Sequence, residues 1–475
     1  MQTMDFTVCA DQIVRPWPRI ELYQNSTLRY TPPANFSAYW QAQNGRVKVI
    51  RTWVTLDEIW NIEDDTYDWN YQIGVDKLGD KRYYPYDWPV SRPSQTHFED
   101  YLTTFCTLGE EAMLNIRRFE RETADGILSY EKYEEVCEKV IEHCRDLCEN
   151  IVYIEVSNES EIPGFGRLTV LEYMRLYDAV CRVVARLNAR RGWNLKVGGT
   201  AMTGGYAIRG LWHEYMKALS EDTCPEKRID FYSFHSYNHD VDCLQELYNI
   251  HKSDVERYNL PDAPLFFDEY GTCAATGVLT DSLQNACETL TGMMRAADLP
   301  GMYVFPWCTF HNPELQISYT QYIRLPDDSY APTPNGQAVH MLFGMMENEL
   351  RLRNEYYVRD PETGKVLKRP AAFYSSQTHF RARATGDTKQ IYLIVTNPSD
   401  QPLSVNCSVE GMQGRKAEVV MRQVDDKQNN AVTGEVCYDL SVTEFREIAL
   451  QEGVGNVACC LPPFGFACWT IRAVD

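Results

Sequence analysis

Tyr153-Ile154-Glu155-Val156-Ser157-Asn158-Glu159 reads as a buried strand that ends in an amide and a carboxylate. Strand alternation predicts Tyr153, Glu155, Ser157 and Glu159 on one face. Acidic groups on a buried face are costly unless they are paired or functional. Ser160-Glu161-Ile162-Pro163-Gly164 follows as loop chemistry, so Asn158 and Glu159 stand at the C-terminal tip of the strand. In an α/β barrel that rim is where catalytic groups collect.

Pro264-Leu265-Phe266-Phe267-Asp268-Glu269-Tyr270-Gly271 repeats the pattern: an apolar run closing on a carboxylate and a glycine. Two strand-end carboxylates suggest the acid/base and nucleophile of a glycoside hydrolase. The plain alternative is a pair of strand-end acids holding barrel salt bridges.

Strand and helix patterns alternate on both sides of these stretches. Phe6–Ala10 reads as a first strand, 35–43 as a short helix and Val47–Trp53 as a β-branched strand. Strands are further expected at 112–116, 195–199, 229–237 and 302–307. Helices are expected at 130–148, after a Thr169/Glu172 capping box, and around 211–219, 241–258, 281–297 and 336–346. Close to eight of each predicts an α/β fold, a (β/α)8 TIM barrel over residues 1–346. From 347 to 475 short strands are punctuated by Asn397-Pro398-Ser399-Asp400, Gly411–Gly414 and Pro462-Pro463, predicting a C-terminal all-β sandwich domain. Residues 57–100 form an insertion dense in aromatics: Trp60, Tyr67, Trp69, Tyr71, Tyr83, Tyr84, Tyr86 and Trp88. It reads either as a wall that stacks sugar rings or as a loop packed on itself or on another subunit of a homo-oligomer.

The 475 residues are 44% apolar and 24% charged, an ordinary globular composition. A net charge of −21 repels nucleic acid and anionic membrane surfaces and suits a neutral substrate. No stretch is expected to act as a signal peptide or to span a membrane, which predicts a cytoplasmic protein. The sixteen cysteines then read as reduced thiols. Cys137, Cys144 and Cys148 share a helical stripe with Val140, Ile141 and Leu147, as core cysteines do. Asn25 and Asn35 sit in glycosylation sequons that such a protein leaves unused. No His-x-x-x-His spacing, glycine-rich phosphate loop or Ser–His pair appears, so neither a metal nor an organic cofactor is expected.

Further residues converge on the same rim. Arg51 ends the early strand and is placed either to hold the Glu269 carboxylate or to pair with Glu155. Trp53 follows on the same side. His235 and Tyr237 share the face of their strand end, where Tyr237 can hydrogen-bond a nucleophilic carboxylate and His235 can touch sugar or acid. Trp307 ends the last strand and offers a floor for a sugar ring, unless it is a core tryptophan. Asn158 can grip a sugar 2-hydroxyl, a contact that strengthens in an oxocarbenium-like transition state.

These motifs together resemble glycoside hydrolase family 39, within the clan A (β/α)8 hydrolases. Glu155-Val156-Ser157-Asn158-Glu159 is similar to that family's Glu-x-Trp-Asn-Glu-Pro, and Asp268-Glu269-Tyr270 to its nucleophile strand. Ile50-Arg51, Leu195–Gly199, Asp230–Tyr237 and Trp307–Phe310 resemble its second, fifth, sixth and eighth strands. The similarity runs over roughly residues 45–345, and the family also implies a trailing sandwich. It implies that Glu159 is the general acid/base and Glu269 the nucleophile of a retaining, exo-acting β-xylosidase-like enzyme on a glycoside or oligosaccharide. Ser157 and Ser160 replace the family's Trp and Pro, and Thr52-Trp53 replaces its Gly-His, which leaves the sugar open. β-Glucosides, β-mannosides, β-galactosides and arabinosides remain alternatives, as does a barrel that binds glycans without cleaving them.

Overall fold

A computed structural model describes residues 2–26, 35–73, 83, 97–240, 242–272, 282–310, 319–325, 327, 329–359, 366–370, 381–433 and 440–474. Eight strands lie side by side in chain order and run parallel: Tyr23–Asn25, Val47–Thr55, Gly109–Arg117, Ile151–Val156, Lys196–Thr203, Phe231–Tyr237, Leu265–Gly271 and Met302–Pro306. The principal helices between and after them are Phe36–Asn44, Phe98–Cys106, Tyr130–Leu147, Val170–Arg191, Trp212–Glu221, Asp242–Tyr258, Ser282–Ala296 and Pro334–Phe343. Past the eighth strand, the Thr309 N–H and hydroxyl reach the Asn25 carbonyl at 2.9 and 2.5 Å. The Tyr23 ring packs 4.3 Å from Tyr303. The ring of strands is closed, and the fold is the expected (β/α)8 barrel.

Local chemistry sets the helix ends. Thr169 and Glu172 form a reciprocal capping box, and Gly192 stops that helix in the left-handed region at φ 68°. The helix after the third strand is capped by Ser129 and buries Tyr133, Val136, Cys137, Val140, Ile141 and Cys144. Leu147, expected on that stripe, is 37% exposed. The chain leaves helical geometry at Cys148, which is itself buried, so of the expected stripe only Leu147 is exposed. The fourteen described cysteines are free thiols, most of them buried.

The barrel interior is layered with the strand period of two. Its floor is apolar: Val49, Met113, Tyr153, Phe231, Phe266 and Phe305. Two residues further along five of these strands stand Arg51, Asn115, Glu155, Ser233 and Asp268, all fully buried. The strand tips then carry Trp53, Arg117, His235 and Tyr237. The site is therefore built on a polar layer stacked on a dry aromatic one.

Phe6–Ala10 is a strand, but not one of the barrel. It lies within Gln2–Pro16, which pairs antiparallel with Asn348–Arg359 and parallel with Leu403–Glu410 in the sheet of the C-terminal half. Met4, Phe6, Val8 and Ala10 alternate into that half's core. This is the signature of a strand buried on one face, whereas barrel strands are buried on both. The expected barrel of residues 1–346 thus gives its first strand to the sandwich. Its own first strand, Tyr23–Asn25, has three residues and is too short to show a period.

The sandwich sheet runs Glu444–Ala449, Lys416–Val424, Phe466–Val474, Gln390–Thr396, Ala382–Gly386, Asn348–Arg359, Gln2–Pro16, Leu403–Glu410, Gly455–Leu461, with Val366–Pro370 paired beside Asn348–Arg359. Arg15 and Arg383 both bind Asp298, which follows the seventh barrel helix, and Glu349 in the sheet.

The described part of the aromatic insertion packs on the barrel's own outer elements. Trp60 meets Phe119, Tyr67 stacks on Trp69, Trp69 on His143, and Tyr71 on Phe98. Tyr83 donates to Asp125 at 2.6 Å. This packing is the one expected of a loop that packs on the protein itself; Tyr84, Tyr86 and Trp88 lie outside the described residues. No described helix is long and apolar enough to cross a membrane.

Candidate active site

The fourth barrel strand ends at Val156, earlier than simple alternation predicts. Ser157 and Glu159 both take positive φ, at 64° and 48°. Such backbone is sparsely populated for non-glycine residues and concentrates at functional sites. Two contacts hold it: the Ser157 N–H to the Ile116 carbonyl at 2.8 Å, and the Glu159 N–H to the Ala201 carbonyl at 3.0 Å. The turn sends Ser157 outward, where its hydroxyl donates to Glu120 at 2.9 Å. It brings Asn158 and Glu159 over the barrel mouth.

The seventh strand carries a bulge at the matching place. Phe267 pairs with Phe234 and Glu269 with His235, so Asp268 is the extra residue. A bulge changes which way side chains point. Here it lets two consecutive carboxylates, Asp268 and Glu269, both contact groups inside the barrel.

Arg51 is the hub. It is fully buried and reaches Glu155 at 2.7 Å, Glu269 Oε1 at 2.9 Å, Asn158 Oδ1 at 3.0 Å and His235 Nε2 at 3.4 Å. Both sequence expectations for Arg51, pairing with Glu269 and pairing with Glu155, hold at once. Glu155 also accepts from Asn115 at 2.8 Å and Ser233 at 2.6 Å. Burial works against its charge, yet Arg51, with Asp268 and Ser233, brings Glu155 down to about 2. Burial also opposes the charge on Arg51, but Glu155, Asp268 and Glu269 raise its pKa further.

Glu269 is gripped from two sides. Tyr237 Oη donates to Oε2 at 2.6 Å while Arg51 Nη1 donates to Oε1. Glu159 meets His235, whose Nδ1 lies 2.7 Å from Oε1. Burial pushes Glu159 up to about 7, against the pull of Arg117 and Arg51. Burial pushes His235 down to about 4, with Glu269 opposing and Arg51 assisting. Single atoms of Glu159, His235 and Glu269 lie within 4.8 Å of one another. That convergence has the size of a cation site, but the donors are already committed. Both Glu269 oxygens accept from Arg51 and Tyr237, Nδ1 of His235 faces Glu159, and a guanidinium already supplies the positive charge.

The two tryptophans flank this group. The Arg51 guanidinium lies 3.9 Å over the Trp53 ring, and Trp53 meets Trp307 edge to face at 6.0 Å. Trp53 is buried and Trp307 half-buried. All eight residues named from the sequence (Glu159, Glu269, Asn158, Arg51, Trp53, His235, Tyr237 and Trp307) thus gather at one end of the barrel. Sequence reasoning missed Asn115, Ser233, Asp268 and Arg117. The first two lie in polar interruptions of apolar strands, a visible but unspecific signal. Asp268 stands out in the sequence only as the neighbour of Glu269. Arg117 stands 5.6 Å from the Trp53 ring and 5.3 Å from Phe165, beside a loop whose path the sequence did not disclose.

No protein-family model matches the chain, and no curated protein matches its sequence. Solved structures match its fold over the whole length. A glucosidase from Croceicoccus marinus is 14% identical, with all of both chains covered and a TM-score of 0.65. A monomeric β-xylosidase from Caulobacter crescentus CB15 is 13% identical, again over all of both chains, at 0.65. A glycoside hydrolase family 39 enzyme from Xanthomonas axonopodis pv. citri is 12% identical, with 100% of this chain and 98% of that one covered, at 0.65. At these identities the likeness is one of fold, and it includes the family that the strand-end motifs resemble.

Proposed function

We propose that the protein is a retaining glycoside hydrolase, exo-acting on β-linked sugars, that works by double displacement. The observation that carries this reading is the approach of a Glu159 oxygen and a Glu269 oxygen to within 4.8 Å. Retaining pairs stand about 5–5.5 Å apart and inverting pairs roughly 6.5–9.5 Å, because inversion needs room for a water.

The two carboxyl groups are prepared for different tasks. Glu159, raised to about 7, keeps its proton in mildly acidic solution and serves as the acid for the leaving oxygen. Glu269, held by Arg51 and Tyr237, attacks the anomeric carbon; the C–O bond to the leaving group breaks as the bond to Glu269 forms. Glu159, now a carboxylate, then takes a proton from water, which displaces Glu269 and releases the sugar. Arginine can only donate, so Asn158 turns its Oδ1 to Arg51 and its Nδ2 is left to donate to the sugar 2-hydroxyl. Trp307 is the aromatic surface for the bound ring.

Exo action and the β configuration follow from the resemblance to family 39 and the shared fold with a β-xylosidase, so a β-xyloside is the first substrate to try. Buried free thiols fit a reducing compartment, and the cytoplasm is the location we propose. A panel of nitrophenyl glycosides tests the reading. One β-glycoside should be cleaved with retention, and Glu269→Ala should abolish that turnover. Wild-type rates in Glu269→Ala would remove the nucleophile, and no cleavage of any glycoside would leave a glycan-binding barrel.

A further inference from the structure

Among the described residues Arg51 is the one cation paired with Glu155, Asp268 and Glu269, and all four side chains are buried. Three buried carboxylates are not balanced by one guanidinium. The hydrogen bonds show where the excess falls. Both Glu155 oxygens accept from donors: Arg51 and Asn115 on one, Ser233 on the other. Glu269 accepts from Arg51 and Tyr237. Both Asp268 oxygens are buried without a donor. Arg51 Nε is 3.4 Å away and His235 Nε2 3.6 Å. The Asn115 amide serves Glu155 and the Ser157 carbonyl. From the first strand, Asn25 donates to the Asp268 backbone carbonyl, not to its side chain. Beyond the eighth strand, Cys308 is a thiol that burial keeps neutral. An ionised Asp268 would therefore be a buried charge with no hydrogen-bond donor and only a share of Arg51 at 3.4 Å, while a protonated one becomes a donor itself.

We propose that Asp268 is held as a neutral carboxylic acid that donates its proton to Glu155, so that the two groups share one hydrogen behind Glu269. Arg51 Nε touches both carboxyl groups, Glu155 at 2.7 Å and Asp268 at 3.4 Å, which sets them side by side, and burial with Glu155 raises Asp268 while Glu155 is lowered. Two carboxyl groups in contact are stable in the singly protonated form. Glu155 then carries the one charge that offsets Arg51, and the guanidinium keeps its Nη1 on Glu269. Asp268 is thus a positioning residue: it fixes Glu155, Glu155 fixes Arg51, and Arg51 aims Glu269. The bulge that turns both Asp268 and Glu269 into the barrel is the backbone feature this arrangement needs.

The role in aiming Glu269 rests on the reading of Glu269 as nucleophile, whereas the shared proton does not, so two measurements keep them apart. Infrared difference spectra of the full-length protein without substrate should show a protonated carboxyl carbonyl that survives to about pH 9, as documented for buried acids. The protons of Glu159 and Glu161, both raised to about 7, should be gone by then. Asp268→Asn, with folding checked by circular dichroism, should lose that band. A wild type without the band at that pH, or a band that persists in Asp268→Asn, overturns the proposal. On the cleaved glycoside, Asp268→Ala should lose on the order of a hundredfold in kcat with little change in KM, as misplacement of reacting groups does. Asp268→Asn, which keeps a donor, should recover most of that loss, and equal losses in both variants would overturn the positioning role. If no glycoside is cleaved by the wild type, the functional reading fails while the infrared result still decides the shared proton.

Discussion

His235 Nδ1 lies 2.7 Å from Glu159 Oε1, and the two side chains are perturbed in opposite directions, His235 down to about 4 and Glu159 up to about 7. Near pH 6 both are therefore neutral. His235 Nε2 faces Arg51, which only donates, at 3.4 Å, so Nε2 is the acceptor and Nδ1 carries the hydrogen. Glu159 Oε1 then accepts from His235, which leaves the Glu159 proton on Oε2 for the leaving oxygen. An acid with a raised pKa acts below that value and fails above it. On the cleaved glycoside, kcat/KM should fall about tenfold per pH unit above about 7. A profile that stays level through pH 9 would remove Glu159 from the acid role.

The same raised pKa acts on stability. A carboxyl whose folded pKa exceeds its unfolded value binds more protons when folded between the two values. Stability present below the unfolded pKa is then lost as pH rises through about 7. Glu159→Gln cannot ionise and should be more stable than wild type at pH 8, on the order of 3 kcal/mol for a carboxyl raised from its ordinary value to about 7. Urea unfolding at pH 8 and pH 5 measures it. The advantage should shrink at pH 5, and an equal advantage at both values would show that charge is not its source.

Removing Arg51 strands two buried carboxylates, Glu155 and Glu269, that it contacts at 2.7 and 2.9 Å. Arg51→Met should cost about 3–5 kcal/mol, the usual effect of breaking a buried ion pair from one side. Arg51→Lys should recover little, since one ammonium cannot span Glu155, Glu269 and Asn158 as the planar fork does. Combining Arg51→Met with Glu155→Met should restore part of the stability, the share lost through Glu155, without restoring turnover, since Glu269 still lacks its cation. Thermal unfolding with a rate assay separates the two effects.

How legible the site was depended on its strand ends. Glu159, Glu269, His235 and Tyr237 stood out because each closes an apolar run, and a rim residue needs only that local pattern. Asp268 did not, because its orientation depends on a bulge that alternation does not disclose. The fold was legible where periods were long, as in the capped helix Val170–Arg191. The three-residue strand Tyr23–Asn25 is too short to carry a period, and its place in the barrel is fixed by tertiary pairing with Val47–Thr55. The early run Phe6–Ala10 was seen as a strand, but which sheet it joins depends on partners more than 300 residues away in the chain, Asn348–Arg359 and Leu403–Glu410.

Those partners make the N-terminal strand a structural test of its own. Gln2–Pro16 lies between two strands of the sandwich sheet, so its loss would leave a row of unpaired backbone groups inside a core that includes Met4, Phe6 and Val8. Deleting residues 1–16 should therefore abolish soluble expression, although it touches no barrel strand. Two milder substitutions grade the junction. Arg15 is partly exposed and shares Asp298 and Glu349 with the buried Arg383. Arg15→Ala leaves Glu349 a second guanidinium at 2.8 Å and should cost about 1 kcal/mol, as exposed pairs do. Arg383→Ala removes the buried partner and should cost about 3 kcal/mol or more. Thermal unfolding of the two variants checks the order, and a larger loss for Arg15→Ala would mean that the junction is held at its exposed edge instead.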